Sequence, residues 1–295
     1  MGLGLLGAFS PACAPESATT GSGVNVVATT TQIGALTRAV AGDQVRLTVL
    51  LPAGADAHDF EPDPQDVKQV HNARLVLRNG LGLDDWMDKT IANAGGHARV
   101  VIVTDGVELL RASSGDEAGE VDPHVWHNPE NAAVMVDNIA AALASVDPSR
   151  AATFTANAQA YRARLQQVDA EIRGLINEIP QQNRKMVTNH DAFGYFIARY
   201  GLEFVGTVFP NSSREGQASA KELAALSDLI RAEGVKAVFA EEEVDPKVAR
   251  ELAKDTGVEI VTGLYADSLG PPGSGADTID GMLLANARKI SEALR

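Results

Sequence analysis

Cysteine is almost absent from this chain. Cys13 is the only one in 295 residues. That excludes internal disulfides, CxxC redox chemistry and a cysteine-rich zinc site. A metal held by this protein must use His, Asp or Glu. Positive charge is also scarce, with 25 Lys+Arg against 39 Asp+Glu and a formal net charge of −14. Nucleic-acid and anionic-membrane surfaces need clustered positive charge, so neither partner is expected. There is no HExxH metalloprotease signature. The apolar run from Met1 to Ser10 is too short to cross a bilayer. What remains is an ordinary globular composition, 45% hydrophobic and 22% charged. Its length suits one large domain or two smaller ones.

The N-terminal MGLGLLGAFS contains a literal GxGxxG at Gly2, Gly4 and Gly7. That fingerprint needs a preceding strand and a following helix, so the match is a decoy. The stretch reads instead as the apolar part of a secretory signal without its basic leader. A small residue, Ala12, precedes Cys13, as in a bacterial lipoprotein cleavage site, but the usual aliphatic residue three before the cysteine is missing. Cys13 is thus either a lipid tether or inert. Ala14 to Gly23 is a small, polar linker. Residues 1–23 form a leader and linker on this reading, and the folded part starts near Val24.

Beyond it, apolar strand-like runs at 24–28, 45–50, 75–77 and 100–103 alternate with helical spacing at 33–40, 64–71, 84–93 and 129–145. Such alternation implies βαβ units and a mainly parallel sheet. Asp63-Pro64, Asn128-Pro129, Asp147-Pro148 and Asp245-Pro246 repeat one helix-start device. The first residue caps free N–H groups, and Pro at the first helical position loses no hydrogen bond. From Asp147 to Ile179, apolar residues fall at 154, 158, 161, 165, 168, 172, 175 and 179. That spacing predicts one helix of about 50 Å, ended by Pro180. It is either a coiled-coil arm or a backbone helix joining two lobes. The α/β alternation restarts after it, with strands at 185–188, 202–209, 238–240 and 258–261 and helices at 192–200, 220–232, 246–256 and 276–294. The joining helix is therefore preferred. The expected architecture is α/β: two lobes, 24–146 and 181–295, each with a mainly parallel sheet flanked by helices, joined by one long rigid helix at 147–180. Ligands bind beyond the carboxyl ends of strands in such sheets, which puts a site in the cleft between the lobes.

Six histidines are present. His71, ending an amphipathic stretch, and His97, in a Gly-Gly turn, read as surface residues. His58 lies in a loop between an apolar strand and a capped helix, a position open both to function and to plain solvent exposure. His124 and His127 lie in Asp-Pro-His-Val-Trp-His-Asn-Pro before another capped helix. Pro123 and the cap at Asn128 leave little room for a helical turn, so one histidine acts as a ligand and the other as a neighbour. His190 sits at a strand end in the second half. Three histidine loops drawn from both halves thus face the expected cleft. Neutral imidazole suits zinc and other late transition metals, whereas hard cations prefer oxygen. The spacing cannot choose a fourth ligand among 39 acidic residues.

With these loops in view, the chain resembles the metal-binding lipoproteins of bacterial ABC importers, the zinc/manganese cluster of solute-binding proteins. The resemblance runs from about Val24 to the C-terminus. It is carried by Gly54-Ala-Asp-Ala-His-Asp-Phe-Glu-Pro62, Asp122-Pro-His-Val-Trp126, Thr188-Asn-His-Asp-Ala-Phe-Gly-Tyr-Phe196, Ser219-Ala-Lys-Glu-Leu223 and Tyr265-Ala-Asp-Ser-Leu269. It implies two lobes on a rigid helix and a ligand set of His58, His124, His190 and Asp267. His127 becomes a neighbour of the site. The run Glu241-Glu242-Glu243 is expected to be a solvated helix entry. Many zinc-specific relatives carry a His-rich loop before Asp-Pro-His; here Ala112 to Glu120 is short, acidic and without histidine. Manganese-type relatives replace the third histidine by Glu, so His190 favours Zn2+ over Mn2+ as the transported ligand. The implied role is extracytoplasmic metal capture for an ABC permease. The expected molecule is a monomer, periplasmic or at the cell surface, with Cys13 as its possible anchor. A zinc hydrolase and a surface adhesin are the competing classes. Four protein ligands would leave zinc no water to activate, so no catalysis is expected.

Overall fold

The computed structural model describes residues 23–112, 118–209 and 218–295. The readings of the leader, of Cys13 and of part of the 112–120 loop lie outside the described residues. The first half opens with β1 (Asn25–Ala28), α1 (Thr31–Ala41), β2 (Arg46–Val49), α2 (Pro64–Asn72), β3 (Leu75–Arg78), α3 (Trp86–Ala94) and β4 (Arg99–Ile102). Its four strands run parallel in the order β2-β1-β3-β4. Val26 pairs with Leu47 on one side and with Leu75 on the other. The second half holds β5 (Lys185–Thr188), α6 (Gly194–Tyr200), β6 (Glu203–Thr207), α7 (Ala220–Glu233), β7 (Ala237–Glu241), α8 (Lys247–Thr256), β8 (Glu259–Leu264) and α9 (Ile279–Leu294). Its strands are again parallel, in the order β6-β5-β7-β8. The two sheets share one winding order although the sequences of the halves show no repeat. The inner strands β3 and β7 are buried along their length. Covered on both faces by helices, they read as continuous apolar runs rather than alternating ones.

The first half closes with α4 (Pro129–Val146), and α5 (Ala151–Asn177) lies between the halves. The expected long helix is present and serves as a spine, not an arm. Its inward face buries Phe154, Ala158, Leu165, Val168, Ile172 and Ile176. It packs on α1 and α4 of the first half and on α6 and α9 of the second. One continuous apolar core therefore runs from β1 and β3 through α5 to Phe193, Phe239 and Met282. At 27 residues the helix is roughly 40 Å long, shorter than the sequence predicts. The reason lies at its start. Asp147 gives its carboxylate to Ser149 Oγ and the Arg150 guanidinium, and Pro148–Arg150 form a 3-10 turn instead of the first α turn.

The Pro-start device works as expected at α2 and α4. Asp63 accepts from the Gln65 and Asp66 amides, and Asn128 accepts from Glu130 N. At α8, Asp245 Oδ1 accepts from Lys247 N, where the helix begins. Side-chain ties fasten the spine to the second half, and one of them reaches on to the first. Arg199 on α6 holds Asp169 of α5 with two bonds of 2.8 Å and reaches Glu130 of α4 at 2.8 Å. Tyr161 Oη donates to Asp280 Oδ1 of α9 at 2.9 Å, and Arg164 holds its other oxygen.

Candidate metal centre

Four loops leave strands toward one place. His58 follows β2, His124 follows β4, His190 follows β5 and Asp267 follows β8. Two strands come from each sheet, the arrangement expected of a site between two doubly wound halves. The four donor atoms lie within 4.8 Å of one another. His58 Nε2 is 3.3 Å from His124 Nε2. His124 Nε2 is 3.2 Å from Asp267 Oδ1, and His190 Nε2 is 3.2 Å from Asp267 Oδ2. His124, His190 and Asp267 are buried, and His58 is half-buried.

Carboxylates stand behind two of the imidazoles. Asp122 Oδ1 lies 2.7 Å from His124 Nδ1 and also accepts the His124 amide at 2.9 Å. Glu241 Oε2 lies 3.3 Å from His190 Nδ1, while its Oε1 accepts from Asn189 N at 3.1 Å. An Nδ1–H donated to a carboxylate leaves the Nε2 lone pair facing the cluster and fixes the ring's orientation. The Asp122 contact also explains Gly194 at the start of α6. A Cβ there would come within 2.6 Å of Asp122 Oδ2. The loop of His58 is set by an Asx turn, with Asp56 Oδ1 accepting the His58 amide at 2.9 Å, and by Trp86 Nε1 donating to Ala57 O at 3.0 Å.

Titration follows this packing. Burial alone would raise the Asp267 carboxyl, but His190 and His124 hold it well below the usual range. Burial opposes charge on His124, yet hydrogen bonds to Asp122 and Asp267 push it up to about 9. His190 is raised for the same reason by Asp267 and Glu241, against its burial. Among the described residues no carboxylate is bonded to His58 Nδ1; burial together with the charges on His124 and His190 lowers it. These shifts favour protons on His124 and His190 beside the ionised aspartate when no cation is bound. A cation binding through Nε2 must displace them.

The family described as "Zinc-uptake complex component A periplasmic" matches residues 26–293. The chain belongs to this family. Among curated relatives it is 32% identical over 277 residues to the iron ABC transporter substrate-binding lipoprotein MtsA of Streptococcus pyogenes, covering 92% of this chain and 89% of that protein. It is 32% identical over 292 residues to the manganese ABC transporter substrate-binding lipoprotein scaA of Streptococcus gordonii, covering 96% of this chain and 94% of that one. Among solved structures, the periplasmic zinc binding protein TroA from Treponema pallidum is similar in fold. Its TM-score is 0.84 at 30% identity, over 92% of this chain and 99% of that one. By name these relatives are substrate-binding components of transporters or binding proteins, not enzymes. No helix among the described residues is long and apolar enough to cross a membrane.

In this member of the zinc-uptake component family, the donor atoms of His58, His124, His190 and Asp267 come together within 4.8 Å. His127 does not join them. It is fully buried against Phe193, with ring centroids 4.7 Å apart, and against Trp126. Burial first, then the charge on His124, pushes it down to about 3, so it packs as a neutral ring. His71 and His97 are exposed, as expected.

The acidic run departs from expectation. Glu242 alone is exposed; Glu241 is buried behind His190, and Glu243 is half-buried. The Glu243 carboxyl accepts from Ser268 N at 2.8 Å. Burial and the nearby Asp267 raise it to about 8. A run of three acids reads locally as solvated. Here β7 continues through Glu241 and carries that side chain inward. Asp122 and Glu241 are the functional neighbours that sequence reasoning missed. Asp122 had a faint signal, two residues before a histidine. Glu241 had none.

Proposed function

We propose that this chain captures a divalent transition metal, zinc foremost and manganese second, and delivers it to the membrane permease of an ABC transporter. Three imidazole Nε2 atoms and one carboxylate, converging from four strand ends, carry this reading. His58, His124, His190 and Asp267 act as the ligands. Tetrahedral zinc with bonds of about 2.0–2.1 Å needs neighbouring donors about 3.3–3.4 Å apart. The contacts of 3.3, 3.2 and 3.2 Å lie close to that edge. The nitrogen-rich donor set and the general affinity order also favour zinc over manganese. Four protein donors fill such a centre, which suits carriage rather than hydrolysis. The relatives named for iron, manganese and zinc support metal capture as the common task.

We take 24–146 and 181–295 as the lobes and 147–180 as the spine between them. The spine's packing on both lobes supports a small change of lobe angle on loading, with local movement near Asp267. The protein acts as a monomer at the cell surface or in the periplasm, with Cys13 as its lipid tether. Calorimetric titration of the metal-stripped chain with Zn2+ and Mn2+ tests the reading. One-to-one binding, lost in His190→Ala and tighter for zinc, is expected. Unchanged zinc affinity in His58→Ala, His124→Ala and His190→Ala would refute the ligand assignment.

A further inference from the structure

The loop that carries Asp267 belongs to the second half, but the first half holds most of its hydrogen bonds. Ala266 O accepts from Trp126 Nε1 at 3.1 Å and from Gln32 Nε2 at 3.3 Å. Leu269 N donates to Thr31 Oγ1 at 3.1 Å. Between them, the buried Ser268 hydroxyl accepts from Gly54 N at 2.8 Å and donates to Leu269 O at 3.1 Å. Gly54 opens the loop that ends in His58, and its φ of +77° is a conformation glycine adopts without strain. On its own side, Ser268 N is held by Glu243 Oε1 at 2.8 Å. One serine thus links the end of β7, the Asp267 loop and the His58 loop.

We propose that Ser268 is a positioning residue that ties the His58 loop to the Asp267 loop, so that these two ligands reach and leave the metal together. His124 and His190 need no such link, because Asp122 and Glu241 hold their rings from behind. His58 is the one half-buried ligand, and its loop meets the second half's ligand loop through this hydroxyl. Breaking the tie leaves all four ligands in place but frees two of them to depart one at a time. The consequence is faster metal release rather than loss of the site.

This proposal rests on the metal-capture reading, and its test separates the two. The full chain and its Ser268→Ala and Ser268→Thr variants are compared. In the metal-free proteins, NMR amide exchange is read at Gly54 and in β1 and β5. After zinc loading, release to a chelator is followed by stopped flow. One hydrogen bond's net worth corresponds to about two- to tenfold. Ser268→Ala is expected to speed Gly54 exchange and zinc release by about that factor, with β1 and β5 unchanged, and Ser268→Thr to restore both. If Thr does not fit, Glu243→Ala serves as the second variant and is expected to shift both readouts in the same direction. Unchanged Gly54 exchange in Ser268→Ala would overturn the tie. Altered exchange with unchanged release would overturn its role in metal retention. A wild-type chain that takes up neither zinc nor manganese would overturn the metal-capture reading and this role together, with the exchange measurement still deciding the tie.

Discussion

The spine and the cleft of this protein are held together by different physics. Along α5, apolar side chains from both halves share one core, and ion pairs such as Arg199 with Asp169 sit at its margin. In the cleft, carboxylates back two of the three imidazoles, and the Asp267 loop is held by hydrogen bonds. Dispersion and burial at the spine are non-directional and insensitive to pH. Charge and hydrogen bonds in the cleft are directional and change with protons or a cation. The molecule can therefore alter its site without loosening its frame.

A core truncation at the spine should have the largest effect on stability and little on the site. Phe154→Ala is expected to cost about 3–5 kcal/mol in denaturant unfolding, while the surviving folded fraction keeps wild-type zinc affinity. A parallel loss of affinity would show that spine and cleft are not separable. In the cleft the expectation reverses. Asp267→Ala removes the one charged donor; zinc affinity in calorimetry should fall by more than the roughly 10–100-fold typical of losing a neighbour of a ligand. Glu241→Gln keeps the shape behind His190 but weakens its anchor. It should fall within that 10–100-fold range. Equal losses for the two variants would contradict their separate roles.

Protons sharpen the contrast. His124 has its pKa raised to about 9 in the metal-free fold, so its contribution to stability is complete below the unfolded value of about 6.5. That contribution disappears as pH rises through about 9. Asp267 is depressed, so its contribution is present above about 3.9 and is lost on acidification through its lower folded value. Thermal melts of the metal-free protein should peak near about pH 6.5, falling toward 9 as these protons leave and toward 4 because the buried His127, pushed down to about 3, resists taking one up. Zinc affinity should move the other way, rising over pH 6.5 to 9 with proton release visible in calorimetry across buffers. A metal-free melting profile flat over that range would contradict the protonated cluster. The smallest effect should come from the exposed end of a spine tie. Glu130→Ala is expected to cost under about 1 kcal/mol, because Glu130 is exposed and Asp169 still holds Arg199.

Much of the frame was legible in the chain. The apolar strand runs, the helix starts at Asp63-Pro64 and Asn128-Pro129 and the 3-4 spacing of α5 are local signals, and these elements form where local physics places them. The misjudged points were also local. Asp147 bonds Arg150 rather than opening an α turn, and Glu241 turns inward at the end of β7. In the centre, the three histidines stood out because each lies in a loop beside a strand end or a capped helix start. Asp267 was reached only through resemblance, since nothing in Ala-Asp-Ser distinguishes one aspartate among many acids.

By itself, the sequence determined the kind of donor and the kind of frame. With a single cysteine, only nitrogen and oxygen ligands are available, and alternating apolar periods leave parallel α/β layers as the way to bury them. Tertiary structure decided which carboxylate joins the histidines, which acids stand behind them and which histidine stays a packed neutral ring. Those choices depend on loops from two different sheets meeting at one point. Spacing along the chain records no distance between residues brought together only by the packing of both halves on α5.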